Sequence, residues 1–445
     1  MAAWPLSIPS KLFVELTKDI TVYTLVEDEE SKNYALQWFV KWGVDTSKVK
    51  FIYVHQGEDA WWVRDWGPHA VFTASGKMML GDGKYKYSTP FSGIGCSDSL
   101  GFLYKTEENK IRLTEEEDSA TTSIGRSLGI GILDLPFAST GGNVMTDGQR
   151  TAFSTCILTN ENRFTGVSDE KFFSLNKELL GIDHYNIIPN FETRDIQHVD
   201  CYMKLLDEER VLVLNPPDDH PDHKVYDEII ENTLSKLKTC YGRPYEILRI
   251  NTARYRDDML AAYTNAIILN KIVYVPLFSI AEDSLALKRW AEVMPGYTIK
   301  GFTFVMADEP FLVSRMHNLY QTIGWYKSDG LHCRTRAIWD KDMLWISVKR
   351  PAGNEEKTVY VSVIDYSGKG IINASVKLYW RVKGTEKWND ESMHEDNSIN
   401  HFYFKLSSLN KSESIEYYIS AASNSGSNET MPRTSPKGFY SFSNN

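Results

Sequence analysis

Phe51-Ile52-Tyr53-Val54 is followed by Trp61-Trp62-Val63-Arg64-Asp65-Trp66-Gly67-Pro68 and then by Ala70-Val71-Phe72. An apolar run, a polar stretch closed by Gly-Pro, and a second apolar run read as strand, landmark and strand. Upstream, Thr21-Val22-Tyr23-Thr24-Leu25 predicts another strand, and residues 30–42 carry a helical pattern. The order helix, strand, polar landmark, closing strand then recurs four more times.

Ile132-Leu133-Asp134-Leu135 leads to Gly141-Gly142-Asn143 and Thr151-Ala152-Phe153, and Tyr185-Asn186-Ile187-Ile188 leads to His198-Val199-Asp200 and Val211-Leu212-Val213-Leu214. Tyr245-Glu246-Ile247-Leu248 leads to Thr264-Asn265 and Ile272-Val273-Tyr274-Val275. Tyr297-Thr298-Ile299 leads to His332-Cys333 and Leu344-Trp345-Ile346-Ser347-Val348. Asp65, Gly141, His198, Asn265 and Cys333 follow one another at intervals of roughly 57 to 76 residues. Five α/β units of similar length predict a pseudo-fivefold, five-bladed α/β propeller whose landmarks converge on the axis. A plain α/β fold without the repeat is the alternative.

Past Lys349-Arg350-Pro351-Ala352-Gly353-Asn354, the texture becomes one of short alternating segments. Val359-Tyr360-Val361-Ser362-Val363, Ser375-Val376-Lys377-Leu378-Tyr379-Trp380, His401-Phe402-Tyr403-Phe404-Lys405-Leu406 and Ile415-Glu416-Tyr417-Tyr418-Ile419-Ser420-Ala421 read as strands. The expected organisation is a catalytic α/β propeller over residues 1–350 and an all-β, immunoglobulin-like sandwich over residues 351–445.

Bulk properties narrow the partners. A chain of 445 residues is long enough for two or three domains. A net charge of −10 argues against a nucleic-acid partner, which needs concentrated Lys and Arg. No run reaches the roughly 20 apolar residues of a membrane span. Met1-Ala2-Ala3-Trp4-Pro5-Leu6 lacks the basic and apolar regions of a signal peptide, so the expectation is a secreted protein without its leader, with the cytoplasm as alternative. Cys96, Cys156, Cys201, Cys240 and Cys333 are widely spaced without a CxxC, neither a disulfide scaffold nor a zinc site. Asp218-Asp219-His220-Pro221-Asp222-His223 has ligand-like residues, but Pro and Asp there also signal a helix start, and no metal site is read from it.

The landmarks carry a coherent chemistry. A thiol beside a cation becomes a thiolate, and Cys333 is a candidate nucleophile. Asp65 and Asp200 can each accept paired N–H bonds from a planar guanidinium and fix its carbon for attack. His198 can protonate a leaving amine and later activate water. Asn265 either orients substrate or thiol or serves its turn. Trp62 either stacks on the guanidinium or fills a core.

Together these residues resemble the guanidino-group-modifying (pentein) superfamily. Within it, the chain is similar to bacterial peptidylarginine deiminases of the Porphyromonas type. The resemblance rests on Trp62-Val63-Arg64-Asp65, Thr140-Gly141-Gly142-Asn143-Val144-Met145-Thr146-Asp147-Gly148, His198-Val199-Asp200-Cys201, Tyr263-Thr264-Asn265-Ala266-Ile267-Ile268-Leu269-Asn270 and Leu331-His332-Cys333-Arg334-Thr335. It implies Cys333 as nucleophile, His198 as general acid/base, Asp65 and Asp200 as guanidinium anchors, Asn265 as a further catalytic-site residue, and Ile196 as a backbone contact to the substrate arginine. It also implies hydrolysis of arginine side chains in peptides or proteins to citrulline and ammonia, through a covalent thiouronium and with neither cofactor nor calcium.

That family selects C-terminal arginine with two arginines in a loop after the first unit. Here the stretch is Gly83-Lys84-Tyr85-Lys86-Tyr87-Ser88-Thr89-Pro90, with no arginine, so internal peptidyl-arginine or a free guanidine becomes an expected substrate. Agmatine or free-arginine deiminase is the enzymatic alternative, supported by Arg64-Asp65-Trp66-Gly67-Pro68, and an amidinotransferase stands behind it. The non-enzymatic alternative is an inactive pentein acting as a binding or adhesion module.

Overall fold

The computed structural model describes residues 1–57, 60–87, 112–113, 118–191, 197–304, 325, 328–351, 357–409 and 414–443. Among these, five three-stranded sheets account for the first part of the chain. Each contains a parallel pair of strands, and parallel strands need a long crossover, which a helix supplies. Val22–Val26 crosses through helix Glu29–Trp42 to Val49–Tyr53. Met78–Lys84 crosses through Ala120–Leu128 to Gly131–Ala138. Thr151–Thr155 crosses through Cys156–Phe164 and Asp169–Leu180 to His184–Ile188. Arg210–Asn215 reaches Glu246–Asn251 through His223–Asn232, and Ile272–Leu277 reaches Thr298–Thr303 through Asp283–Val293.

Local sequence sets these helices. Asp28 accepts the backbone N–H of Ser31 at 2.7 Å, Glu29 and Glu30 lie in the positive first turn, and Gly43 ends the helix at φ 72°. Ser168 and Gly181 bracket Asp169–Leu180 in the same way. The segment 218–223 does lead into a helix. His220 Nε2 lies 2.9 Å from Asp258 O and His223 Nδ1 lies 2.8 Å from Pro216 O, so both imidazoles already have partners.

The repeat read from sequence needs one adjustment. In four of the sheets, an antiparallel strand precedes the parallel pair, and it follows directly on the polar landmark: His69–Phe72, Met145–Thr146, Met203–Leu205 and Ile267–Leu269. A landmark therefore opens the next sheet rather than closing the previous one. Three of these strands are two or three residues long, too short to show a period of two.

The main core holds the central strands, with Val211, Leu212, Val213 and Leu214 nearly inaccessible, and stacks Phe13 on Phe39 at 4.5 Å. A second core lies between two C-terminal sheets. Leu344–Lys349, expected to close the fifth propeller unit, pairs instead with Thr358–Asp365 and contributes Leu344, Ile346 and Val348 to this second core. The seam between the two cores thus falls before residue 344 rather than at 350. An alternating strand reads alike whichever sheet it joins, and only the pairing partner decides. The other expected strands appear as Thr358–Asp365, Lys377–Val382, His401–Lys405 and Ile415–Ala422. Among the described residues no helix is long and apolar enough to cross a membrane.

Candidate active site

Four of the landmarks are tight turns set just before a strand, the Cys333 turn stands apart from the strand that follows it, and hydrogen bonds stitch one turn to the next. Asp65 sits on the single turn Val63–Trp66, anchored by buried Val63 and Trp66. Arg64 N donates to Cys333 O at 3.1 Å, joining the first landmark to the last. The second landmark brings Gly142 N to Asp65 Oδ1 at 2.9 Å. A Cβ on Gly142 would stand 2.4 Å from that oxygen and 3.0 Å from His198 Nδ1, and one on Gly141 would stand 2.1 Å from Arg64 O. Only glycine allows so close an approach.

Asn143 and Asn265 play matching parts. Asn143 Oδ1 accepts the backbone N–H groups of Thr155 at 2.9 Å and Val199 at 3.0 Å, fixing the His198 turn. Asn265 Oδ1 accepts Cys333 N at 3.0 Å, while its Nδ2 donates to Asp200 O at 3.2 Å and to Cys333 Sγ at 3.1 Å. Gln197, immediately before His198, is held at φ 59°, a left-handed conformation unusual for a side-chain-bearing residue.

The structure brings Asp65, His198, Asp200, Asn265 and Cys333 together. All five are nearly inaccessible to solvent. His198 Nδ1 lies 3.5 Å from Asp65 Oδ1, and Cys333 Sγ lies 3.5 Å from Asp200 Oδ2. Trp62 is half-buried, and its indole N–H donates to Asp329 Oδ2 at 3.3 Å, beside the turn that carries the thiol. Ile196 lies outside the described residues, as does the end of the 83–90 stretch from residue 88 on. Lys84 Nζ is 3.8 Å from Asp134 Oδ1.

Electrostatics sets the protonation states. Burial pushes Asp200 up to about 6, opposed by His198 and reinforced by the charge of Asp65. Burial pulls His198 down, yet the charge of Asp65, its hydrogen bond, and the charges of Asp200 and Glu161 more than offset this and raise it. For Cys333, a hydrogen bond with the Cys201 thiol favours the thiolate, but burial and the carboxylates of Asp200, Asp65 and Asp329 prevail, raising it to about 11. The resting thiol is therefore protonated, and His198 holds its proton more tightly than an ordinary histidine does. Arg64 and Lys204 are cations that act on this thiol, and burial lowers both.

Two residues of this centre escaped the sequence reading. His332 Nδ1 lies 2.6 Å from Asp200 Oδ2. Burial, with the charges of Arg64, Lys204 and Arg336, holds it far below the usual histidine range, so it is a neutral ring donating Nδ1–H to the carboxylate. Lys204 is buried, its Nζ without a hydrogen-bond partner. Burial, then Arg64, lower it to about 7 against the pull of Asp200 and Cys333. A lysine four residues after Asp200, in the strand that leaves the turn, was the available signal.

Comparison with known proteins shows the family and the fold. Residues 9–307 match the Porphyromonas-type peptidyl-arginine deiminase family. The chain belongs to that family. It is 25% identical over 291 residues to the "Putative agmatine deiminase" of Mycoplasma mycoides, covering 58% of this chain and 73% of that protein. The protein of the same name from Vibrio parahaemolyticus is 25% identical over 264 residues, with 54% and 69% covered. Among solved structures, the "Putative Arginine Deiminase" of Porphyromonas gingivalis superposes with a TM-score of 0.53 at 18% identity, covering 73% of this chain and 86% of its own. The agmatine deiminase of Enterococcus faecalis does so with 0.52 at 20% identity, covering 65% and 81%. At these identities the structures show the fold, which is that of the pentein deiminases, and this peptidyl-arginine deiminase family member adds a C-terminal β-rich region.

Proposed function

We propose that the protein hydrolyses the guanidinium group of arginine side chains in peptides or proteins, releasing ammonia and leaving citrulline. The observation that carries this reading is the meeting of two buried carboxyl groups, Asp65 and Asp200, with a thiol 3.5 Å from one of them and an imidazole 3.5 Å from the other. The substrate guanidinium donates N–H bonds to both carboxylates. Its charge favours loss of the thiol proton to solvent, and Cys333 Sγ attacks the guanidinium carbon. His198 gives its proton to the departing nitrogen, the C–N bond breaks, and ammonia leaves a thiouronium. Water then adds to the same carbon, with neutral His198 taking its proton. The C–S bond breaks as the proton of the new hydroxyl passes to the departing sulfur, yielding the ureido product and the free Cys333 thiol. Asn265 donates to the sulfur throughout and holds the Cys333 backbone, and the half-buried Trp62 walls the guanidinium side chain. Neither calcium nor a cofactor enters this sequence.

In the same reading the five sheets close into a five-bladed propeller, and the C-terminal sheets form an immunoglobulin-like sandwich. Cys156 is disulfide-bonded, although the cysteine spacing does not read as a disulfide scaffold, and a disulfide fits action outside the cell. A second reading, agmatine deimination, is favoured by the names of the curated relatives. Ureido product is to be measured from a peptide with internal arginine, a peptide with C-terminal arginine, free arginine and agmatine, with Cys333→Ala as control. Peptides are expected to show kcat/KM at least about tenfold above the small substrates, a margin of about 1.4 kcal/mol. Agmatine as best substrate would replace the peptidyl reading, and no product from any of them would end the enzymatic one.

A further inference from the structure

One buried group in the active centre has no part in the steps above. Cys201 directly follows Asp200 and is a thiol, not a disulfide. Its Sγ lies 3.7 Å from Asp200 Oδ1, as Cys333 Sγ lies 3.5 Å from Oδ2. Both sulfurs and a carboxylate oxygen fall within 4.8 Å of one another. Relative exposures of 1% for Asp200, 0% for Cys201 and 3% for Cys333 leave little solvent among them.

We propose that Cys201, Cys333 and Asp200 form a binding site for Zn2+, and that its occupancy blocks the active centre. The blocking effect rests on the deiminase reading above, whereas the binding does not. Zinc takes sulfur at about 2.3 Å and carboxylate oxygen at about 2.0 Å. Tetrahedral geometry then spaces a sulfur and an oxygen by about 3.5 Å and two sulfurs by about 3.8 Å. Each sulfur already lies at that spacing from one carboxylate oxygen, Cys201 from Oδ1 and Cys333 from Oδ2, and with the three ligand atoms within 4.8 Å of one another no pair needs to close by more than about 1.3 Å, within reach of small side-chain rotations. Two thiolates and one carboxylate suit a thiophilic cation rather than Mg2+ or Ca2+, which prefer all-oxygen sets.

The outer contacts fit as well. Asn265 Nδ2 sits 3.1 Å from Cys333 Sγ and 4.0 Å from Cys201 Sγ, so an amide donor faces both sulfurs. His332 donates to Asp200 and orients the carboxylate, the support that metal-binding carboxylates commonly have. On binding, each thiol releases its proton to solvent as its Zn–S bond forms. Thiolates and carboxylates, Asp65 included, then offset the nearby charges of Arg64 and Lys204 and that of the incoming ion. Occupancy ties up the sulfur that attacks and the carboxylate that holds the guanidinium.

The full chain, stripped with a chelator, is to be dialysed against Zn2+ and its metal content measured per chain. One equivalent is expected, with Cys201→Ala and Cys333→Ala each weakening affinity by at least about 100-fold, more than loss of an outer-sphere contact costs. Loading with Co2+ should give a thiolate charge-transfer absorption in the near ultraviolet that halves in either variant. No stoichiometric zinc, or Cys201→Ala binding as tightly as wild type, overturns the site. Should Cys201→Ala fail to fold, the Co2+ spectrum of the wild type decides, since one thiolate instead of two overturns it equally. A chain that binds zinc through both sulfurs yet deiminates nothing removes the enzymatic reading and leaves the site standing.

Discussion

Two clusters of buried charge use the same residue types to opposite ends. At the seam between the two cores, Glu209 is held by Arg350 at 2.6 Å and by Arg243 at 3.2 Å, and Glu208 by Arg433 at 3.1 Å. The guanidinium groups of Arg350 and Arg433 stack over Tyr440 and Trp345. In the active centre, no hydrogen bond or ion pair joins Asp65 or Asp200 to a guanidinium among the described residues. Arg64, whose charge interacts with both, turns its Nε to His332 O at 3.1 Å. The seam supplies its own arginines, and in the proposed function the centre takes that part from a substrate. The test of a functional cluster here is thus a missing partner, not buried charge as such.

The comparison breaks most visibly at Asp200. Asp200→Asn keeps the shape and removes the charge, so kcat/KM should fall by about 1,000-fold or more, about 4 kcal/mol. Stability should hold or rise, because an incompletely compensated buried charge disappears. Turnover and thermal melting of the one variant check both halves. A variant that loses stability along with activity would make Asp200 a seam-type residue after all.

Glu209→Ala is the mirror image. It strands two guanidinium groups, and breaking a buried pair in this way costs about 3–5 kcal/mol. The melting temperature should drop by many degrees, while kcat/KM of the folded protein stays near wild type. A loss of turnover at temperatures where the variant remains folded would show that the seam governs the site.

The legible part of this molecule follows from the same distinction. Asp65, His198, Asp200, Asn265 and Cys333 stood out as polar residues at the edges of apolar strands, and the fold gathers them. His332 was passed over because a histidine beside the candidate nucleophile looks like its flank. Its importance lies in a contact to Asp200, 132 positions away in the chain. Lys204 sits in a short strand where a lysine ordinarily points to water. Leu344–Lys349 carries the right alternation for either unit, and only its pairing with Thr358–Asp365 tells which. Chemistry that repeats along the chain is readable, whereas chemistry defined by a single distant partner is not.

Acidity sharpens the contrast further. Burial pushes Asp200 and Glu208 up to about 6, from ordinary values of 3.8 and 4.5. A carboxyl raised on folding binds its proton more tightly in the native state. Its contribution to stability is therefore greatest below the unfolded value and declines as pH climbs through about 6. Activity should move the other way, since only the carboxylate of Asp200 grips a guanidinium. Between pH 4 and 6, kcat/KM should rise about tenfold per unit while the melting temperature gains less than it otherwise would. Asp200→Asn should flatten its share of the stability trend, leaving that of Glu208. An activity profile flat across this window would place the substrate's anchor elsewhere.

The smallest expected effect is the control for burial itself. Lys377 and Asp390 meet at 2.7 Å, about as close as Arg350 and Glu209, but their side chains are 34% and 48% exposed. Water solvates both charges when the pair opens, salt screens them, and holding a lysine in one geometry costs side-chain entropy. Asp390→Ala should accordingly leave both melting temperature and turnover indistinguishable from wild type. Measured beside Glu209→Ala in low and high salt, it separates the distance between two charges from their burial. If the two variants destabilise alike, proximity rather than desolvation sets the strength of the seam. The carboxyl groups of the active centre, which among the described residues have no arginine partner, would then need another account of the substrate-binding role proposed for them.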